Sequence, residues 1–276
     1  MTKQHMPSKT SPGFGIITPT AYLRRYAAQS HFHLVLAHLI DVDEEYTNFY
    51  AQMSDRGDFI IMDNGAFELG ESYEPSKLIE LGRRVKADAV VLPDYPGQDA
   101  ERTINAAIRL SQQVKDAGFM TFFAPQSRLG ATEEWIAAYR WGAENPDIDI
   151  IGMSILGIPN ALPHIPRSYA RVVMTQLLYD RGVFARDKYH HYLGLNAGPN
   201  LELPALIEMQ ALDSCDSSNP VWAGICGQMY TPMADSFLMT RKIDKHVDFD
   251  YPMTSNEYVH SAIQTNIDMT LSLFNR

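Results

Sequence analysis

The chain of 276 residues is 45% hydrophobic and 20% charged, enough to bury a core at the upper end of single-domain size. Its 23 Lys and Arg against 33 Asp and Glu give a net charge of −10, which argues against a protein that coats duplex nucleic acid nonspecifically but leaves room for a local basic groove. No apolar run approaches the roughly 18 residues of a membrane helix, the opening MTKQHMPSKTSPG lacks a signal-peptide core, and two cysteines, Cys215 and Cys226, are too few for a disulfide scaffold or a four-cysteine zinc site.

Short β-branched and apolar runs then recur in chain order: HLVLAHLI from His33, FIIM from Phe59, AVVL from Ala89, FMTFFA from Phe119, IDIIGMSI from Ile148, HYLGL from His191 and ALDSC from Ala211. They read as strands, and most of their starts lie about 26 to 30 residues apart, the length of a strand, a helix and two turns. Helical patterns fill the gaps: Pro75 to Lys86 opens on a first-turn proline, and Asp99 to Ala117 stops at Gly118. Thr132 to Glu144, Arg167 to Tyr179 and a closing helix over about 254–275 follow the same pattern. Buried strands alternating with amphipathic helices predict an α/β fold, a (β/α)₈ TIM-type barrel forming one domain over 1–276, with 1–30 as an N-terminal extension. The eighth strand is either Gly13 to Thr18 or the Val221 to Gly227 stretch, and a doubly wound sheet is the alternative architecture.

In such a barrel the chemistry sits where the strands end, so the residues following each apolar run carry the information. FIIM is followed by Asp63-Asn64-Gly65-Ala66-Phe67, AVVL by Pro93-Asp94, FMTFFA by Pro125-Gln126-Ser127, IIGMSI by Leu156-Gly157, and ALDSC by Asp216. Three acids and a glutamine thus converge on one rim, although each aspartate alone also reads as the N-cap of a following helix. Asp213 falls inside its strand and reads as structural. Phe67 is spaced to cover a flat ligand. A Schiff-base aldolase needs a rim lysine, and Lys77, Lys86, Lys115 and Lys188 fall in helices or before strands. His31 and His33, like His190 and His191, precede strands, on the face away from a rim metal site. His38 falls near the rim.

These motifs, in this order over residues 59 to 220, resemble those of the tRNA-guanine transglycosylases and of their DNA-acting relatives, the deazapurine transglycosylases of phages and bacteria. MDNGAF, LPD, PQS, GMSILGI, HYLGL and DSCDSS each resemble a family segment. The resemblance implies a DNA guanine transglycosylase, a pentosyltransferase exchanging guanine for a 7-deazaguanine through a covalent glycosyl-aspartate. Asp216 would be the nucleophile and Asp63 the proton acceptor. Asp94, Gln126 and the backbone at Leu156 and Gly157 would read the base, between Phe67 and the Leu193-Gly194 segment. The tRNA enzymes' zinc subdomain, with three closely spaced cysteines and a histidine, cannot be built where only Cys226 follows Asp216, and the RNA-binding appendage of archaeal relatives would need more chain. The resemblance therefore implies a barrel without zinc subdomain, DNA over tRNA, and neither metal nor cofactor. A minimal tRNA enzyme and a base-releasing N-glycosidase or nucleosidase are the alternatives.

The implied partners are DNA with a flipped or single-stranded guanine and a free 7-deazaguanine base, with no membrane. Candidate phosphate contacts are Arg24, Arg25, Arg128, Arg167, Arg171, Arg241 and Lys242. The implied location is the cytoplasm, that of the host if the protein is phage-encoded.

Overall fold

The computed structural model describes residues 6–9, 11–195, 199–233, 236–237 and 247–274. Eight parallel strands form a nearly closed (β/α)₈ barrel: β1 (Gly13–Ile16), β2 (Phe32–Val35), β3 (Phe59–Met62), β4 (Ala89–Val91), β5 (Met120–Phe123), β6 (Ile150–Gly152), β7 (Tyr189–Tyr192) and β8 (Ser214–Ser217). Hydrogen-bonded neighbours run β1-β8-β7-β6-β5-β4-β3-β2. The ends of that order meet, because Ser30 Oγ donates to the Phe14 carbonyl at 2.7 Å and the Phe32 ring packs where a Cβ on Gly13 would come within 2.8 Å. Only glycine lets β1 come this close to β2.

β3 to β6 read as largely apolar runs because both faces are covered, one by the barrel interior and the other by helices, whereas β7 (YHHY) and β8 (SCDS) bury polar side chains. Ile60, Ile61, Met62, Val90, Phe122, Phe123, Ile150 and Ile151 are all fully buried. Helix ends follow local chemistry: Asp99 caps Ala100–Asp116 by accepting from the Glu101 N–H, and Pro75 opens Pro75–Arg84. Glu44–Arg56, which the apolar spacing does not announce, is capped by Asp43 and closed by Gly57 at φ +99°.

The eighth strand is β1, formed by residues expected in an N-terminal extension. Val221 instead belongs to the helix Asn219–Ile225, which opens on Pro220. The closing helix is Glu257–Leu271, capped by Asn256, and it packs on Asn219–Ile225. Three strand assignments shift. The first run is strand only as far as Val35, and its Ala37 to Ile40 open the helix Ala37–Val42. His191 lies within β7, and β8 starts at Ser214, so Asp213 precedes the strand while Asp216 lies inside it. The shift has a local cause: the chain leaves the helix Pro199–Glu208 through Gln210 at φ +53°, and Ala211 to Asp213 form the lead-in. Asp213 then accepts from the His190 N–H at 2.7 Å and lies 3.5 Å from Lys9 Nζ, which bears out a structural role. No described helix is long and apolar enough to cross a membrane.

Candidate active site

Alternation along the strands sends one side-chain set into the barrel, and this set delivers the rim chemistry. On β7 and β8 the inward positions include His191, Ser214 and Asp216. His191 stacks on Phe32 of β2 at 5.5 Å and meets Phe122 of β5 edge-on at 5.7 Å, contacts possible only across the barrel interior. The expectation that His191 lies on the wrong face is therefore corrected. His33, also within a strand, points the other way and bonds Asp58 at 2.8 Å. His38 lies in the helix Ala37–Val42 after β2, its ring edge-on to Phe249 and its Nδ1 buried without a partner.

Asp63, Asp94 and Asp216 come together as the sequence indicates, each in a different setting. Asp63 follows β3, and its Oδ2 accepts from the Gly65 N–H at 2.9 Å, a local turn made possible by the φ of +80° at Gly65. Burial pushes its carboxyl up to about 6, and the neighbouring Asp94 and Asp216 charges add to the rise. Asp94 follows β4 and is 8% exposed. Its Oδ1 takes a hydrogen from Asn64 Nδ2 at 2.7 Å and its Oδ2 one from Gln126 Nε2 at 2.6 Å, while burial raises its carboxyl above the ordinary range. Asn64 is itself fixed, donating to the Leu92 carbonyl at 2.9 Å and accepting from the Ala66 N–H at 2.8 Å.

Asp216 accepts on Oδ1 from His191 Nε2 and from the Gly194 N–H, both at 3.0 Å. Gly194 can aim its N–H there because it sits at φ +69°, with Ile155 against the position a side chain would take. The flanking loops are pinned by Arg171, wholly buried in an ion pair with Glu202, which donates to the carbonyls of Met153, Leu193 and Gly194. Among the described residues no three His, Cys, Asp or Glu side chains converge as metal ligands.

Other expected site residues behave differently. The N–H groups of Leu156 and Gly157 both donate to Ser154 Oγ at 3.1 Å, so they are not aimed at a ligand oxygen. Gln126 spends Nε2 on Asp94, and its Oε1 is buried without a partner. Leu193 is partly buried beside the core. Arg171 is removed from the phosphate contacts by its burial. Arg128 is exposed but pairs with Glu134 at 2.9 Å; Arg24 and Arg25 are exposed, and Arg167 is exposed beside a pocket that Leu156 and Gly157 also line. The Phe67 side chain, Arg241 and Lys242 lie outside the described residues. A cavity of about 1240 Å³ opens at the opposite, N-terminal face beside Phe14, Phe32 and Phe119, away from these carboxylates.

The sequence reading missed Asn64, Ser154, His191 and Ser214. Asn64 is legible only as a turn residue, while extending the period-2 alternation back from Leu193 finds His191 on the inward face.

The fold and site define a (β/α)₈ barrel carrying a carboxylate cluster at its C-terminal rim. No protein-family model and no curated protein matches the chain. Among solved structures, an HpcH/HpaI aldolase from Desulfitobacterium hafniense DCB-2 is similar at 12% identity and TM-score 0.50, over 75% of this chain and 86% of that one. An HpcH/HpaI aldolase/citrate lyase family protein from Burkholderia cenocepacia J2315 is similar at 11% identity and TM-score 0.52, over 79% and 92%. The citrate synthase SbnG is similar at 12% identity and TM-score 0.50, over 79% and 91%. At these identities the likeness establishes the fold.

The expected DNA guanine transglycosylase, with its pentosyltransferase and DNA-modification roles, is corrected by these findings: the similar barrels are aldolase, citrate lyase and citrate synthase proteins. The rim geometry agrees with the correction. Of the donors assigned to a guanine oxygen, the Leu156 and Gly157 N–H groups are turned to Ser154 and one Nε2 hydrogen of Gln126 to Asp94.

Proposed function

We propose that the rim is the active site of a lyase-type enzyme that breaks or forms a carbon–carbon bond by carboxylate acid–base chemistry. The observation that carries this reading is a pair of unlike carboxyl groups, Asp63 pushed up to about 6 and Asp216 held by two N–H donors. In the cleavage direction, protonated Asp63 gives its proton to a substrate carbonyl oxygen while Asp216 takes the proton of a β-hydroxyl. The bond between the α- and β-carbons breaks, its electron pair forms the enol, and the β-carbon leaves as an aldehyde. One proton enters and one departs, so the step balances on the two side chains.

The names of the similar aldolase and citrate lyase family structures support the reaction class. The lysines Lys77, Lys86, Lys115 and Lys188 lie in or after helices or ahead of β7, so nothing at the strand ends favours a Schiff base. Three carboxyl groups and the Gln126 oxygen make the rim rich in acceptors, and Arg171 is spent on Glu202. That balance supports an uncharged or cationic substrate with many O–H or N–H groups over a polyanion. The ordered motifs leave common descent with the transglycosylase superfamily as a proposal about ancestry, apart from activity, so a free 7-deazaguanine base belongs among the ligands tested.

The test measures aldehyde release from polyhydroxy ketones and from oxo-dicarboxylates, with calorimetric binding of each and of the free base. Aldehyde release from a polyhydroxy ketone, cut by about a hundredfold in Asp63→Asn and in Asp216→Asn, is the expected result. No release from any aldol, or turnover indifferent to both substitutions, would overturn the reading.

A further inference from the structure

Behind Asp216 stands a row of groups that the acid–base step does not use. Ser214 Oγ lies 2.8 Å from His191 Nδ1, and His191 Nε2 lies 3.0 Å from Asp216 Oδ1. Ser214 and His191 are wholly buried, and Asp216 is 4% exposed. An ionised carboxylate has no hydrogen to give, so the hydrogen of the last contact belongs to Nε2. A neutral imidazole with hydrogen on Nε2 carries a lone pair on Nδ1, to which the Ser214 hydroxyl donates in this tautomer; the other neighbour of Ser214 is the Tyr189 hydroxyl, which gives its own hydrogen to the Asp213 carbonyl at 3.2 Å. Each hydrogen in the row points toward Asp216. The ring cannot reverse this order by turning over, because Phe32 stacks on it and Phe122 meets it edge-on.

We propose that His191 is the positioning residue of Asp216, kept as its Nε2–H tautomer by Asp216 itself and fixed in orientation by Ser214 and the two phenylalanines, so that Oδ1 is tied down and Oδ2 is turned to the substrate. The Gly194 N–H binds the same Oδ1 from the β7 loop, so among the described residues both donors to this carboxylate converge on one oxygen. The arrangement fixes the carboxylate in plane and leaves the other oxygen with lone pairs to receive a proton. It rests on the reading of Asp216 as the reacting carboxylate, whereas the tautomer assignment stands apart from it.

The test therefore has two readouts. Long-range ¹H–¹⁵N spectra of the full chain labelled at histidine, assigned by loss of one ring in His191→Gln, are expected to show hydrogen on Nε2. That tautomer should persist in Ser214→Ala, where Asp216 still demands it, and become mixed in Asp216→Asn. In the aldehyde-release assay, His191→Gln keeps an amide N–H to offer Asp216 and should retain most turnover, whereas His191→Leu should lose about tenfold or more in kcat with little change in KM. Hydrogen on Nδ1 in the wild-type protein overturns the proposal whatever the activity. With the Nε2 tautomer in place, equal kcat in the glutamine and leucine variants also overturns it, and absence of activity in every sample counts against the lyase reading alone. Should His191→Leu fail to fold, the Ser214→Ala and Asp216→Asn spectra still decide the tautomer's cause.

Discussion

Asp63 binds its proton more tightly in the folded chain than in an unfolded one, where an aspartate titrates near 3.9. Its carboxyl is pushed up to about 6, chiefly by burial, so ionisation penalises the fold. The sign follows: its contribution to stability is fully present below about pH 4, is lost as pH rises through about 6, and stays lost above that. Asp63→Asn keeps an oxygen for the Gly65 N–H and removes the charge. It should make the protein more stable than wild type at pH 7 by about 1–3 kcal/mol, with the gap closing near pH 4, as read by urea unfolding at the two pH values. The same titration predicts that turnover by the proposed lyase, in which protonated Asp63 is the acid, declines above about pH 6. A pH–rate profile flat from 5 to 8 contradicts the assignment of Asp63 as the acid.

Among the elements, the helix pair Asn219–Ile225 and Glu257–Leu271 has the least room. A Cβ on Gly224 would stand 2.5 Å from Ile263 Cγ1 and 2.7 Å from the Ile263 backbone nitrogen. Backbone cannot swing aside as a side-chain tip can, so the helices must part. Gly224→Ala should therefore cost about 1–3 kcal/mol, although alanine is the better helix former, and lower the thermal midpoint. A midpoint equal to or above wild type would show that the two helices slide apart freely. The strands have their own constraint. At β8 a displacement of the expected start from Ala211 to Ser214 moves Asp216 from beyond the strand to within it, where Gly15 of β1 pairs with it in register.

For the molecule as a whole, closure of the barrel depends on chain segments from both ends. β1 completes the ring, and Glu257–Leu271, with Ala262, Ile263 and Ile267 buried, packs on the helix Asn219–Ile225. Loss of that helix removes the cover from Asn219–Ile225, where Gly224 faces Ile263 and residues Pro220 to Ile225 are buried. A chain ending before Glu257 should bind a hydrophobic dye and melt without a cooperative transition. Retention of a sharp unfolding transition would show that the barrel closes without its last helix.

The sequence by itself determined the alternation of strands and helices, the barrel class and the convergence of Asp63, Asp94 and Asp216 on one rim. Those features follow from local periodicity and from the rule that strand ends share one face, both written in the order of residues. Only the tertiary structure decided which of Gly13 and Val221 begins the eighth strand, because that depends on the approach of β1 to Phe32 across the closing gap. It also decided that Arg171 is a buried tie rather than a surface cation, since its partner Glu202 stands 31 residues away. The roles of His191 and Gln126 were hidden for the same reason: the atoms that fix their hydrogens, on Asp216 and Asp94, come from other strands. The motif resemblance could place carboxylates but not say which donors around them were already engaged, and chemistry at the rim is set by those long-range hydrogen bonds.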